Sequence, residues 1–131
     1  MTLVLDASAI VEFILGSLKG QQVRQLISTQ TVDLHAPELI TAESLSALRA
    51  LERRAEISAA RADEAAADLR SVPIRRYPTE PLATRIWTLR GRFTIDDGHY
   101  VALAEVLGAP LLTGDRRLAT AAADLITVVT I

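Results

Sequence analysis

Leu3-Val4-Leu5-Asp6-Ala7-Ser8-Ala9-Ile10-Val11 decides the architecture of this chain. Three apolar residues in a row, too few for a helix and with no polar alternation, read as a strand buried on both faces. The pattern changes at Asp6: Ile10, Val11, Ile14 and Leu15 recur at helical spacing until Gly16 stops them. A buried strand that turns at once into a helix is the opening of a β–α unit, and such units build parallel sheets.

The same alternation continues outward. A helix is predicted over Gln21–Ser28, with Val23, Leu26 and Ile27 on one side, and a short strand over Asp33–Ala36. Pro37 suits the first turn of a long helix reaching about Ala55, because its missing N–H costs nothing there. Ser58 is placed to cap an alanine-rich helix, Ala59–Leu69. Pro73–Arg76 reads as a strand and Glu80–Leu89 as a helix ending near Gly91. Asp96 and Asp97 open a helix that stops at Gly108. Leu111–Thr113 is a strand, Arg117–Ala123 a helix and Thr127–Ile131 a final strand. No repeat or linker breaks the pattern, so residues 1–131 are predicted to form one α/β domain with a mainly parallel sheet covered by helices on both faces.

Composition narrows the chemistry. Of 131 residues half are hydrophobic, enough for a core without staples. Cysteine is absent, which excludes disulfides, thiolate zinc sites and cysteine catalysis. The first residues lack the basic segment and long apolar run of a secretory signal, and acids at Asp6 and Glu12 interrupt the apolar stretch, so a soluble, cytoplasmic protein without a membrane span is expected. The net charge of −2 does not announce a nucleic-acid binder, yet Lys19 is the single lysine among 14 basic residues. Arginine presents a planar fork suited to phosphate, and Arg75-Arg76, Arg90/Arg92 and Arg116-Arg117 form local pairs. Each pair equally suits a solvated helix face.

Four acids stand where an acid is costly. Asp6 and Asp115 follow the apolar strands Leu3–Leu5 and Leu111–Thr113, at the strand ends beyond which open α/β sheets bind ligands. Each also suits a helix N-cap. Glu43 shares a helix face with Leu39, Ala47 and Ala50, whereas Glu52 points the opposite way. A carboxylate on a small, apolar face needs a partner, either a cation bound between acids or an arginine across the core. Asp97 has Val101 and Ala104 on its face, with Asp96 as the expected cap; the sequence leaves the reverse assignment of this pair open.

His99 points away from Asp97 on that helix and His35 lies in a short strand with no histidine nearby, so both read as structural or exposed. The remaining oxygen-only set favours Mg²⁺ or Mn²⁺ over zinc. Ser8 and Thr113, each two residues from a strand-end acid, suit orienting a carboxylate, although Ser8 also suits a cap. Trp87 and Tyr100 suit core packing better than base stacking. Leu45 and Leu48 point away from the Glu43 face, so that helix needs a second surface, supplied by this chain or another copy.

These residues resemble the PIN-domain ribonucleases, and among them the VapC toxins of toxin–antitoxin pairs. Leu3-Val4-Leu5-Asp6-Ala7-Ser8-Ala9 carries the likeness, with Pro37-Glu38-Leu39 leading to Glu43 and Leu48, Asp97-Gly98-His99-Tyr100-Val101-Ala102-Leu103-Ala104, and Thr113-Gly114-Asp115-Arg116-Arg117-Leu118. The resemblance spans essentially the whole chain and implies a three-layer α/β/α fold. It implies that Asp6, Glu43, Asp97 and Asp115 bind Mg²⁺ or Mn²⁺ and cleave RNA, leaving a 5′-phosphate and a 3′-hydroxyl. Ser8, Thr113 and Asp96 would support them, and Arg116 and Arg117 would contact RNA. It further implies a homodimer, and a heterotetramer or larger assembly with a small inhibitory VapB-type antitoxin. Two departures are Asp96, where many relatives have an aromatic residue, and Gly98, where alanine is usual.

Two other classes fit parts of the pattern. A non-catalytic PIN-like module would keep the acids for partner recognition. An aspartate-based phosphotransfer domain also ends its first strand in an acid, but it wants a late lysine, and Lys19 comes too early.

Overall fold

The computed structural model describes residues 1–29 and 31–131. Its sheet is formed by β1 (Thr2–Leu5), β2 (Asp33–Pro37), β3 (Ile74–Tyr77), β4 (Leu111–Thr113) and β5 (Val128–Thr130). The spatial order is β3-β2-β1-β4-β5, and every neighbouring pair is parallel. The central strand earns its place by composition: Leu3, Val4 and Leu5 are all buried. Val4 and Leu5 stand opposite Leu111 and Leu112, which are buried as well.

Helices α1 (Ala7–Leu15), α2 (Leu18–Ser28), α3 (Leu39–Arg53), α4 (Ala59–Ser71), α5 (Ala83–Thr88), α6 (Ile95–Leu107) and α7 (Arg116–Ala122) make the connections, with a 3-10 turn at Glu80–Leu82 before α5. The path β1→β2→β3 steps one way across the sheet, whereas β3→β4→β5 crosses back and steps the other way. Right-handed crossovers then put α1–α4 on one face and α5–α7 on the other. The contacts agree, since α1 packs on α2, α3 and α4, and α6 packs on α5, β1, β2 and β4. This is the three-layer α/β/α arrangement. The direction reverses between β1 and β4, so their carboxyl ends form the topological switch point of the sheet.

Several boundaries differ from the sequence reading. Pro37 closes β2, paired with Tyr77, and α3 begins only at Leu39. That helix stops at Arg53 because Ala55 turns left-handed (φ 58°), with the Ala55 N–H on the Glu52 carbonyl and the Glu56 N–H on the Leu51 carbonyl. This is a Schellman closure with alanine where glycine is usual. The cap of α6 is Thr94, whose hydroxyl accepts the Asp97 N–H, so Asp96 is not the cap and both acids lie in the first turn. Thr94 followed three residues later by an acid was the available signal. Trp87 lies on the surface, 62% exposed, and not in the core. Leu48 is buried in this chain's own core, which leaves only Leu45 exposed on that side of α3.

The corner between α1 and α2 is unusually close. Gly16 ends α1 in the left-handed region (φ 68°), and Ser17 caps α2 by accepting the Gly20 N–H. A Cβ built on Gly20 would lie 1.9 Å from the Glu12 carbonyl oxygen and 2.6 Å from its carbon. The predicted start at Gln21 was late because a glycine three residues inside a helix reads as a break, when here it permits backbone contact. Among the described residues, no helix is long and apolar enough to cross a membrane.

Candidate active site

Asp6 is the most constrained acid in the molecule. It is buried at the carboxyl end of β1 and caps α1, its Oδ1 accepting the Ala9 N–H at 3.0 Å. The Ser8 hydroxyl donates to the same oxygen at 2.6 Å, and the Thr113 hydroxyl donates to Oδ2 at 2.5 Å. Both hydroxyls are themselves fixed by backbone: the Gly114 N–H donates to Ser8 Oγ and the Asp115 N–H to Thr113 Oγ1, each at 2.9 Å. Each hydroxyl accepts a backbone proton and has one hydrogen left, which it gives to Asp6. The loop after β4 is thereby tied to the carboxylate after β1 through Ser8 and Thr113.

Asp115 is the N-cap of α7, with Oδ1 accepting the Arg117 and Leu118 N–H groups at 3.0 and 3.1 Å. Capping and a second role are compatible for this residue, because Oδ2 accepts no bond among the described residues. Both strand-end acids are therefore caps, as the alternative reading allowed, and both retain acceptor capacity.

Glu43 and Asp97 come from opposite helical layers. α3 starts at the carboxyl end of β2. α6 runs down to the start of β4, so its own start lies at that same edge of the sheet. The link between them is Tyr100, one turn after Asp97 on α6, which is 2% exposed and donates its hydroxyl to Glu43 Oε1 at 2.6 Å. The sequence reading missed this bond; the signal was a tyrosine on the inward face of the helix that carries an acid. No arginine crosses the core to Glu43, and none of the four acids has a salt-bridge partner among the described residues.

These acids act on one another by charge. Burial pushes the Asp6 carboxyl above its usual range, against its hydrogen bonds from Ser8, Thr113 and Ala9, and the charge of Asp115 pushes it further. Burial also raises Glu43, opposed by the Tyr100 hydroxyl and assisted by Asp96, Asp97 and Asp6. Asp97 is raised by burial and then by Asp115, with Thr94 and Arg117 pulling the other way. Asp96 is exposed, and it acts on both Glu43 and Asp97 by charge. Of the adjacent pair, Asp97 is the half-buried one.

Half-buried and buried carboxylates that repel one another and lack arginine partners form a donor set suited to a hard divalent cation. Among the described residues, however, no three acidic or histidine side chains stand in ligating geometry as they are. Neither histidine belongs to the acidic set. His99 is buried, its Nδ1–H donating to the Ile95 carbonyl at 2.7 Å and its Nε2 facing the Thr79 hydroxyl at 3.0 Å; His35 Nδ1 lies 2.7 Å from the Tyr77 hydroxyl. A hollow of about 620 Å³ along Val32–His35 and Pro73–Arg75 lies at the opposite, amino edge of the sheet.

Tyr100→Phe isolates the missed contact. It leaves Glu43 Oε1 without its donor in a half-buried place, so stability at neutral pH should fall by about 1.5–3 kcal/mol, the usual worth of a bond to a charged group. That bond holds the Glu43 carboxyl down, so its contribution is present when Glu43 is ionised and lost as pH falls and the carboxyl protonates. Urea denaturation should therefore show a larger deficit at neutral pH than in acid. An equal deficit at both would mean that the ring's packing, and not the hydroxyl, is what matters.

The all-parallel sheet between two helical layers gives the α/β class, and the comparisons specify the family. The chain belongs to the PIN-domain family, whose profile it matches over residues 3–124. Within that family it is similar to the VapC ribonucleases: it is 42% identical over 117 residues to ribonuclease VapC12 of Mycobacterium tuberculosis, covering 89% of each chain. The fold is shared with M. tuberculosis VapC20, a sarcin-ricin-loop-cleaving toxin, at TM-score 0.68 and 17% identity over 91% of this chain and 94% of that one. It is shared also with VapBC2 of Rickettsia felis, solved on a DNA fragment from its promoter, at TM-score 0.69 and 11% identity over 100% and 99% of the two chains.

Proposed function

We propose that this protein is a divalent-metal-dependent endoribonuclease toxin, a cytoplasmic VapC-type enzyme restrained by a cognate VapB-type antitoxin. The observation that supports the reading is that Asp6, Glu43, Asp97 and Asp115, from four separate segments, act on one another by charge, with no salt bridge to any of them among the described residues. The similarity to VapC ribonucleases supports the substrate class, and the VapBC2 neighbour supports the antitoxin. Leu45, exposed on α3, is consistent with the homodimer that the resemblance implies, and with larger assemblies once antitoxin is bound.

The four carboxylates would hold Mg²⁺ or Mn²⁺. Such an ion supplies positive charge that acidifies the attacking water and offsets charge on the phosphoryl oxygens. The chain's own contribution is positional. Ser8 and Thr113 fix the plane of the Asp6 carboxylate, and their backbone donors fix the loop that carries Asp115. Tyr100 fixes Glu43 against α6. Arg116 and Arg117 lie exposed at the start of α7, where they can meet the phosphates of a bound strand. Water adds to phosphorus as the bond to the 3′-oxygen breaks, leaving a 5′-phosphate and a 3′-hydroxyl.

Cleavage of RNA by the purified protein that needs Mg²⁺ or Mn²⁺ and stops with chelator is the direct test. Inactivity towards every RNA tried, in either metal, would favour a non-catalytic PIN module.

A linked prediction concerns pH. Asp6, Glu43 and Asp97 all have raised folded-state pKa values, so the folded protein binds protons that the unfolded chain has already released. Stability from these groups is present at and below the ordinary carboxylate range and is lost as pH climbs through the raised values. Asp124 shifts the opposite way beside Arg92, but it is fully exposed and screened. The metal-free protein should thus melt higher in mild acid than at neutral pH. Mn²⁺ should raise the melting temperature at neutral pH and progressively less on acidification, as protons compete for the ligands. A Mn²⁺ shift independent of pH would argue against carboxylate ligation.

A further inference from the structure

Two hydrogen-bonded routes join the helices that carry Glu43 and Asp97. One is the Tyr100–Glu43 bond, and the other runs round the back of α6. His99 follows Asp97 by two residues, which puts it roughly 200° further round the helix, and it is buried. A carbonyl can only accept, so the 2.7 Å contact with the Ile95 carbonyl puts a hydrogen on His99 Nδ1. In the neutral ring Nε2 is then an acceptor, and the Thr79 hydroxyl, 3.0 Å away, donates to it.

Thr79 belongs to the turn that leaves β3, and the same turn is fastened to α3. The Glu38 N–H donates to the Tyr77 carbonyl at 2.7 Å, and the Thr79 N–H donates to Glu38 Oε1 at 3.4 Å. Glu38 immediately precedes α3, five residues before Glu43. A closed circuit results: α6 through His99 to Thr79, Thr79 to Glu38 and α3, then Glu43 through Tyr100 back to α6. A single bond between two helices leaves them free to pivot about it. A second bond at a different point removes that freedom, and so fixes how the acids on the two helices face each other. We propose that His99 and Thr79 are positioning residues for the metal site, which set the placement of Asp97 on α6 relative to Glu43 on α3. The inference rests on the metal-dependent reading above and deepens it. Neither residue is a ligand, so breaking their bond misplaces carboxylates without removing one. The loss should show first in affinity for the ion.

The test follows free Mn²⁺ by its EPR signal as protein is added, with no RNA present, and measures cleavage over the same range of Mn²⁺. Thr79→Val keeps the shape of the side chain and leaves His99 Nε2 without its donor, whereas Thr79→Ser restores a hydroxyl. His99→Leu breaks the same bond from the other side and leaves no unpaired polar atom on that side chain. Ser58→Ala strips the cap from α4 and controls for stability lost elsewhere. Thr79→Val and His99→Leu should each bind Mn²⁺ about tenfold more weakly, the lower end of the loss when a group that orients metal ligands is removed. Half-maximal cleavage should need Mn²⁺ raised by the same factor, and Thr79→Ser should recover most of the affinity. Ser58→Ala should melt earlier than wild type and still bind Mn²⁺ as wild type does. Wild-type Mn²⁺ affinity in either bond-breaking variant overturns the positioning role. An equal loss in Ser58→Ala overturns it too, because general loosening would then be the cause. A wild-type protein that binds Mn²⁺ but cuts no RNA overturns the ribonuclease reading alone, and the Mn²⁺ comparison still decides this one. A wild-type protein that binds no Mn²⁺ overturns the metal site and this proposal with it.

Discussion

Replacing Asp6 by asparagine should lower metal-dependent RNA cleavage at least about a hundredfold, the scale seen when one preorganised electrostatic group is lost from an active site, while the protein stays folded. The fold tolerates the change for a specific reason. Asn keeps one carbonyl oxygen to accept from Ser8 and the Ala9 N–H, and its amide can donate to Thr113 Oγ1 once that hydroxyl turns. What disappears is the negative charge, which burial and Asp115 already oppose. The melting temperature of the metal-free variant at neutral pH should accordingly match or exceed that of wild type, and the Mn²⁺-induced shift should shrink or vanish. Three readouts are needed together: RNA-end analysis, melting without metal, and melting with it. Undiminished cleavage would remove Asp6 from the site. Lost cleavage accompanied by a collapsed fold would make it a structural cap only.

Gly20→Ala should be the most damaging single-methyl change in the protein. Alanine is the better helix former by about 1 kcal/mol, so propensity alone predicts stabilisation. Packing predicts the opposite, because the new Cβ would sit 1.9 Å from the Glu12 carbonyl oxygen and 3.0 Å from the Phe13 backbone nitrogen. These are main-chain atoms of α1, and no flexible side chain can yield in their place. Helix α2 must move outward, and the bond from the Gly20 N–H to Ser17 goes with it. Overpacking of this kind costs about 1–3 kcal/mol, and the weakened cap adds about 1. The net loss should reach about 2 kcal/mol, lowering the melting point by about 5–10 °C in a chain of this size. Gly91→Ala is the matched control, since nothing lies within 4 Å of its Cβ position. Equal stability of the two variants would show that α1 and α2 are not locked at this corner.

Much of this was legible in the residues, and the parts that were not share a cause. Leu3–Leu5 and Leu111–Thr113 announced themselves because strands buried on both faces need no alternation. Gly16, Ser58 and Gly108 marked helix ends through local backbone chemistry that context did not override. Asp6 and Asp115 could be placed at strand ends without knowing which strands were neighbours. Trp87 was misplaced because its helical neighbours Ile86 and Leu89 are buried, and only the packing of α5 decides which side of it faces out. The Tyr100–Glu43 bond joins residues 57 apart on opposite layers, so no periodicity within either helix could reveal it. Pro37 was assigned to a helix for a sound local reason, but pairing with Tyr77 extended β2 by one residue.

The strand order carries a consequence for folding. The hydroxyl that secures the second oxygen of Asp6 lies 107 residues later in the chain. Until β4 docks on the open side of β1, Asp6 has only the local donors Ser8 and Ala9. The Asp6 carboxylate is therefore fixed on both oxygens only after segments from both sides of the central strand have docked.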